Sequence, residues 1–74
     1  MQLIIKNKTK DEVDIILKNA GISKINRDEA LDVLEDNARQ LGKSTTGDLE
    51  RFIFSIDIEE SSKGSTIKNI KFIS

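Results

Sequence analysis

The stretch that most constrains the fold is FIFSIDI, residues 52–58, in which every second side chain is large and apolar. A period of two predicts a β-strand that buries one face against a core. The stretch TIKNIKFIS, residues 66–74, reads as a second strand. The polar turn SSKGS, residues 61–65, joins them, and its five residues are an acceptable loop for a β-hairpin.

The register of this hairpin follows from keeping the apolar faces of both strands together. That condition pairs Ile56 with Ile70 and Phe54 with Phe72. The same register places two further pairs on the opposite face of the sheet: Ile53 with Ile73, and Glu59 with Ile67.

Two amphipathic helices are predicted before the hairpin, each with a capping signal at its start and a glycine at its end. In TKDEVDIILKNAG, Thr9 is the N-cap, Glu12 completes a capping box and Gly21 ends the helix. In NRDEALDVLEDNARQLG, the same three roles fall to Asn26, Glu29 and Gly42. The apolar stripes are Val13, Ile16, Leu17 and Ala20 in the first helix, and Ala30, Leu31, Leu34, Ala38 and Leu41 in the second. We expect Ile22 and Ile25 to fill the junction between the helices.

Together, the predicted strands and helices indicate an α+β fold. A first strand, MQLIIKN, turns Leu3 and Ile5 to one side, so the order is β-α-α-β-β. The sequence predicts a single domain over residues 1–74, with a three-stranded sheet and two helices packed on one face. The predicted core is Leu3, Ile5, Val13, Ile16, Leu17, Leu31, Leu34, Phe52, Phe54, Ile56, Ile70 and Phe72.

The opposite face of the predicted sheet carries four isoleucines among polar neighbours: Ile4, Ile53, Ile67 and Ile73. Burial in a symmetric homodimer is one explanation, and pairing between the edge strands of two copies is another. A scatter of singly exposed apolar side chains is the third. We expect a homodimer through these four residues, because a 74-residue chain without cysteine buries a modest core.

The residue types that are absent narrow the chemistry. With no Cys and no His, the chain lacks thiolate and imidazole metal ligands and the commonest general base. Every carboxylate falls on a predicted polar face or at a helix start, outside the apolar pockets that tune catalytic acids. The sequence therefore predicts a protein that is not an enzyme and that holds no cofactor and no metal.

Two short motifs suggest ligands but have simpler explanations. GKST, residues 42–45, resembles the end of a phosphate-binding loop, yet Asn37 stands where that loop needs its first glycine. SIDIEE places Asp57 and Glu59 on one strand face, where they could help to hold a hard cation. An exposed polar strand face is the simpler interpretation of these two acids.

Positive and negative charges are segregated along the chain. Residues 11–60 hold all 13 acids and six bases, net −7, whereas the two flanking segments hold six lysines and no acid. If both flanking segments are strands of one sheet, their lysines form a basic pole that could contact nucleic-acid phosphates. The lysines are Lys6, Lys8, Lys10, Lys63, Lys68 and Lys71. Because lysine reads bases less well than arginine, direct nucleic-acid binding is the alternative interpretation.

The sharpest charged feature is RDEALDVLED, residues 27–36, with five carboxylates in ten positions. On a helix with 100° per residue they form a stripe about 120° wide and roughly 12 Å long, opposite the apolar side. Arg39 can pair with Glu35 and Asp36. Such a stripe could imitate DNA phosphates in a channel lined with basic residues, or it could be a solvated face. The candidate partner-binding residues are Asp28, Asp32, Glu35 and Asp36.

The chain resembles small bacteriophage proteins made early in infection to disable host machinery. The likeness lies in its length, its segregated charge and its Lys-, Ile-, Asn- and Asp-rich segments, such as MQLIIKNKTKDEVDIILKNAG and STIKNIKFIS. Within that group it looks most like the staphylococcal-phage inhibitors of the bacterial sliding clamp. The resemblance implies a dimeric inhibitor that occupies the clamp's positively lined DNA channel and blocks DNA replication. A location in the host cytoplasm fits the absence of a long apolar run.

Overall fold

The computed structural model describes residues 1–41 and 48–73, which form the expected α+β fold. The elements are β1 (Gln2–Lys6), α1 (Lys10–Asn19), α2 (Lys24–Gln40), a short 3₁₀ helix (Leu49–Arg51), β2 (Ile53–Ser61) and β3 (Gly64–Phe72). The strands make one antiparallel sheet in the order β1-β2-β3. Both helices pack into a core on one face of that sheet, so the predicted architecture is confirmed.

The strand β2 lies in the centre of the sheet because its alternating apolar residues find apolar partners on both sides. On the helix-covered face the cross-strand sets are Leu3–Ile56–Ile70 and Ile5–Phe54–Phe72. The Phe72 ring stands edge-on to Phe52, with 5.3 Å between ring centroids, and lies 5.4 Å from Phe54. Such aromatic pairs add stability beyond the area they bury. The predicted pairing of Ile56 with Ile70 and of Phe54 with Phe72 is confirmed.

A β-bulge changes the register of the hairpin beyond its middle. Asp57 pairs with Asn69, but the next residue, Ile58, pairs with Ile67. Lys68 is therefore an extra residue on β3 that has no partner on β2. Because side chains alternate along a strand, one inserted residue reverses the face that the following side chains take.

This bulge overturns two predictions about the hairpin. Glu59 pairs with Thr66 rather than with Ile67, and Ile67 packs against the core on the helix-covered face. The loop is also shorter than expected, since pairing continues to Ser61 and Gly64 and leaves a two-residue turn. Gly64 has φ +118°, a conformation that other residues rarely adopt, which lets the strands close at this point.

The first helix begins as the sequence predicts. The Thr9 hydroxyl accepts a hydrogen bond from the Glu12 N–H at 3.1 Å, and the Glu12 carboxylate accepts one from the Thr9 N–H at 3.2 Å. This reciprocal capping box satisfies two backbone donors that a helix start leaves unpaired. Just after the helix, Gly21 takes φ +87°, which ends α1 in the left-handed conformation open to glycine.

The second helix begins at Lys24, two residues before the predicted cap. Its N-cap is Ser23, whose hydroxyl accepts from the Asn26 N–H at 3.4 Å, so the prediction of Asn26 as the cap is wrong. The cause is the tight junction between the two helices. Ile22 is buried and forms a β-bridge with Ser65, so the chain turns directly after Ile22 and α2 begins early. The early start also leaves Ile25 74% exposed on the first turn, so only Ile22 fills the junction.

The core contains every residue that the sequence assigns to it. The buried members are Ile5, Val13, Leu17, Ile22, Ala30, Leu31, Leu34, Ala38, Leu49, Phe52, Phe54, Ile56 and Ile58, and the partly buried ones include Leu3, Ile16, Ile70 and Phe72. Burying one such large side chain contributes roughly 1.5–3 kcal/mol. Leu41 departs from the predicted stripe and is 51% exposed. The predicted helix stop, Gly42, lies outside the described residues.

Candidate docking surface on the second helix

The buried side of α2 fixes the direction in which its acids point. Ala30, Leu31, Leu34 and Ala38 are each at most 5% exposed and pack into the core. Their spacing follows the helical period, so the positions between them face outward. The helix is thus anchored along its length, and its acidic side is a rigid outer surface.

Three aspartates stand one turn apart on this outer surface: Asp28, Asp32 and Asp36, here called the aspartate row. All three are exposed. The side chains of Asp28 and Asp36 are 57% and 69% accessible. Each step of four residues advances about 6 Å along the helix. The row therefore presents carboxylates over a length of about 12 Å, turning about 40° around the helix at each step.

The ion pairs made by the row lie within α2 and are exposed to solvent. Lys24 approaches Asp28 at 2.9 Å between Nζ and Oδ2, and Arg39 approaches Asp36 at 3.0 Å between Nη1 and Oδ1. Asp32 makes no ion pair with another described residue. Exposed pairs at this spacing contribute about 0.5 kcal/mol or less each. A basic partner could therefore replace Lys24 and Arg39 at little cost.

The fourth candidate, Glu35, has a different environment. Its side chain is 18% accessible, and its Oε1 lies 2.9 Å from Nζ of Lys10 on α1. The hydrogen bond from Lys10 to this carboxylate, and then the carboxylate's charge, raise the pKa of Lys10 above its ordinary value. Arg39 is farther away, at 3.9 Å. Glu35 therefore fastens α1 to α2, and we place it outside the aspartate row.

The one base inside residues 27–36 turns away from the row. Arg27 is 14% accessible, and its Nε donates to Oδ1 of Asp14 on α1 at 3.0 Å. Its Nη1 also donates to the carbonyl of Ile22 at 2.6 Å. Because both contacts lie at the junction between the helices, Arg27 does not neutralise the aspartate row.

Two bases that sequence reasoning missed modify the acidic surface. Lys24 stands four residues before Asp28. This spacing predicts an ion pair only when both residues lie on the helix, which requires Ser23 rather than Asn26 as the cap. Lys10 reaches Glu35 across the interface between two helices, for which the sequence offers no local signal. The predicted pairing of Arg39 with Asp36 and Glu35 is confirmed.

The fifth acid of this stretch faces another surface. Glu29 lies at a groove of about 250 Å³ between α2 and β3. The groove is lined by Asn26, Glu29, Ala30, Val33, Thr66, Ile67 and Ile70. Glu29 therefore stands apart from the aspartate row.

The six lysines of the flanking segments do not meet at one pole. Lys6 lies opposite Ile53 at the start of β2, whereas Lys63 follows Ser61 at its far end. Eight residue steps of a strand separate these ends, about 27 Å. Lys10, moreover, is held by Glu35. The two basic strands flank the acidic β2 instead of joining, which weakens the prediction of a single nucleic-acid contact surface.

The face of the sheet that the helices leave uncovered carries three of the four predicted isoleucines. Ile4 is 49% exposed, Ile73 is 55% exposed and Ile53 is half-buried between its neighbours. The fourth, Ile67, lies on the covered face because of the bulge, so the prediction that it lies on the uncovered face with the other three is wrong.

The described residues offer few groups with special chemical properties. Within residues 1–41 and 48–73, no three Asp or Glu side chains are placed to hold a metal ion, and no buried side-chain polar atom lacks a hydrogen-bond partner. No helix in these ranges is long and apolar enough to cross a membrane. The GKST motif lies outside them. Comparison with protein-family models, curated proteins and solved structures finds no significant match.

Proposed function

We propose that this chain is a non-enzymatic protein-binding inhibitor that sets its aspartate row against a basic surface which normally holds DNA. The observation that carries the proposal is the row itself, three exposed carboxylates on a helix whose other side is buried. Each step of about 6 Å along α2 is close to the axial length that two phosphates of one DNA strand occupy, at about 3.4 Å of helix axis per phosphate. A basic channel that binds phosphates could bind this row in the same way.

The energetics of the row support a role in docking. Its pairs with Lys24 and Arg39 are exposed and weak, so exchanging them for a partner's bases sacrifices little stability. The fold does not depend on the row, since the contacts that join α1 to α2 use Glu35 and Arg27 instead. Opposite charge on the partner would also speed the encounter.

The most specific form of the proposal names the partner as a bacterial sliding clamp. The support for this form is the resemblance in length and charge to phage inhibitors of the clamp. In this form the chain works in the cytoplasm of an infected bacterium, where it fills the clamp's DNA channel. DNA and inhibitor would then exclude each other by occupying the same basic surface.

Charge reversal on the row tests the proposal. We expect Asp28→Lys with Asp32→Lys to weaken binding to a purified sliding clamp by about tenfold or more in calorimetric titration. The matched control is Glu50→Lys with Glu60→Lys, which makes the same change of charge on exposed residues outside the aspartate row and should alter affinity less than about twofold. Equal losses of affinity in the two variants would mean that the aspartate row acts only through the net charge of the chain.

The alternative function, direct nucleic-acid binding through the lysines, has its own test. A gel-shift assay with duplex DNA at low salt should show no shift for the wild-type chain, because the six lysines are divided among both edge strands, the hairpin turn and the start of α1. A shift that disappears with Lys68→Glu and Lys71→Glu would support nucleic-acid binding and contradict the inhibitor proposal.

A further inference from the structure

The outer edge of β3 between Asn69 and Phe72 has no strand beside it among the described residues. The sheet order places β3 at one side, with β2 as its neighbour on the other. Just before α2, Ile22 forms a β-bridge with Ser65 and covers the edge near the hairpin turn. The open stretch therefore begins after the bulge at Lys68 and runs to the end of β3.

The hydrogen-bond pattern between β2 and β3 determines which backbone groups this open edge presents. The N–H of Ile73 donates to the carbonyl of Ile53 at 2.8 Å, so these opposite residues form a hydrogen-bonded pair. In an antiparallel ladder such pairs alternate with pairs that are not hydrogen-bonded to each other. Ile70 and Phe72 belong to pairs of the second kind, so their N–H and C=O groups point away from β2. These groups can pair with an added strand.

The groove of about 250 Å³ between α2 and β3 lies beside this open edge. Its walls are mainly apolar: Ile67 and Ile70 are half-buried on β3, Ala30 is buried on α2, and Val33 on α2 is 48% exposed. Ile70 links the two features, because its side chain lines the groove while its backbone groups face the open edge. The side chains on one face of a strand that paired with β3 would therefore enter the groove.

The charge in this groove comes from Glu29. Glu29 is exposed and makes no ion pair with another described residue, in contrast to Glu35 on the same helix, which is held by Lys10. A carboxylate without a counter-charge beside apolar walls favours an occupant that carries a basic side chain among aliphatic ones.

We propose that the open edge of β3 and this groove together bind an extended segment of a different protein, which adds to the sheet as a further strand. Backbone hydrogen bonds to Ile70 and Phe72 hold the segment, its aliphatic side chains fill the groove, and a lysine or arginine pairs with Glu29. A second copy of this chain fits less well, because pairing two β3 strands would bring Lys68 and Lys71 of both copies together. The site lies apart from the aspartate row, so it does not depend on the proposed function.

Fluorescence anisotropy of a labelled peptide, titrated with the full chain, tests the proposal. The probe has about eight residues, an ordinary strand length, with valines on one face, threonines on the other and a lysine in place of one central valine. The wild type should bind it with a dissociation constant on the order of 0.1 mM. Val33→Lys should weaken binding by about tenfold or more, because it sets an ammonium group against the peptide's lysine and valines. The control is Ile15→Lys on α1, where the isoleucine is 56% exposed and outside the groove. It should leave the affinity within about twofold.

A charge exchange tests the contact with Glu29. Glu29→Lys should weaken binding of the lysine peptide by about tenfold. The same variant should bind a peptide with glutamate at the lysine position more tightly than the wild type does, because the pair is re-formed with reversed sign. Glu50→Lys makes the same change of charge away from the groove and should alter neither affinity by more than about twofold.

Methylation of the peptide backbone tests strand addition without any change to the protein. N-methyl groups on alternate residues remove the N–H donors from one edge of the peptide. Methylating one alternate set should abolish binding, and methylating the other should leave the affinity within about threefold, since only one edge of the peptide can face β3. Absence of binding up to about 1 mM, equal effects of the two methylated sets, or affinities that Val33→Lys and Glu29→Lys leave unchanged would overturn the proposal.

Discussion

The two faces of the sheet are built from the same strands but differ in what holds their side chains. On the covered face Phe54, Ile56 and Ile58 are at most 2% exposed, because both helices pack over them. On the uncovered face Ile53 is half-buried and Ile4 is 49% exposed. The covered face is completed within one chain, whereas no helix among the described residues packs over the uncovered face. The intrinsic stability of the fold should therefore reside mainly on the covered face.

The largest effect expected from this difference comes from the same substitution at two positions of β2, one on each face of the sheet. Ile56→Ala should lower the free energy of unfolding by about 2–5 kcal/mol, because it leaves a cavity in the core. Ile53→Ala should lower it by about 1 kcal/mol or less. Urea unfolding at low protein concentration measures both values. Similar losses for the two variants would remove the distinction between the faces.

The next effect concerns the β-bulge, which places Ile67 and Ile73 on different faces of the sheet. Ile67→Asp should destabilise the monomer by roughly 2–3 kcal/mol, because it sets a carboxylate against the core. Ile73→Asp should change monomer stability by less than about 0.5 kcal/mol. Thermal unfolding monitored by circular dichroism compares the two. If Ile73→Asp proved the more damaging, the register beyond Asp57 would be wrong.

A smaller effect concerns the helix that covers the sheet. Ser23→Ala should lower the free energy of unfolding by about 1 kcal/mol, since it removes the N-cap of α2. Asn26→Ala should be close to neutral, because Asn26 lies inside the first turn, where alanine is the better helix former. Chemical denaturation of the two variants decides which residue caps α2, and the reverse order would restore the cap that the sequence predicts.

The smallest effect is a dependence of stability on pH at the start of α1. Hydrogen bonds from Thr9, first from its backbone N–H, hold the pKa of Glu12 below its ordinary value. The ionised carboxylate therefore stabilises the folded state above the ordinary pKa, and this contribution is lost as pH falls through the lowered pKa. Glu12→Gln should flatten the stability profile of the wild type in acid. An unchanged profile would show that the capping box contributes nothing through its charge.

The covered face of the sheet was predictable because short-range sequence patterns determine it. The period of two in residues 52–58 and the capping box at Thr9 each depend on neighbours within a few positions. Burial of one apolar face then follows from elementary packing, which explains why the predicted core and the pairing of Phe54 with Phe72 are confirmed.

The errors arose where a contact between distant residues decides the outcome. The bulge at Lys68 depends on how two strands fit together, and alternation along one strand cannot reveal it. The early start of α2 depends on the bridge between Ile22 and Ser65. The ion pair of Lys10 with Glu35 joins two helices, so the acidic stripe looked more uniform in sequence than it is in the fold.

The most direct test of the inhibitor proposal asks whether the chain and DNA exclude each other on the same partner. The measurement is the fluorescence anisotropy of a labelled duplex bound to a purified sliding clamp at low salt, followed as the wild-type chain is added. We predict that anisotropy falls to the value of free DNA, and that Asp28→Lys with Asp32→Lys needs about tenfold more protein for the same fall. Anisotropy that stays constant, or rises as a ternary complex forms, would contradict occlusion of the DNA channel by the aspartate row.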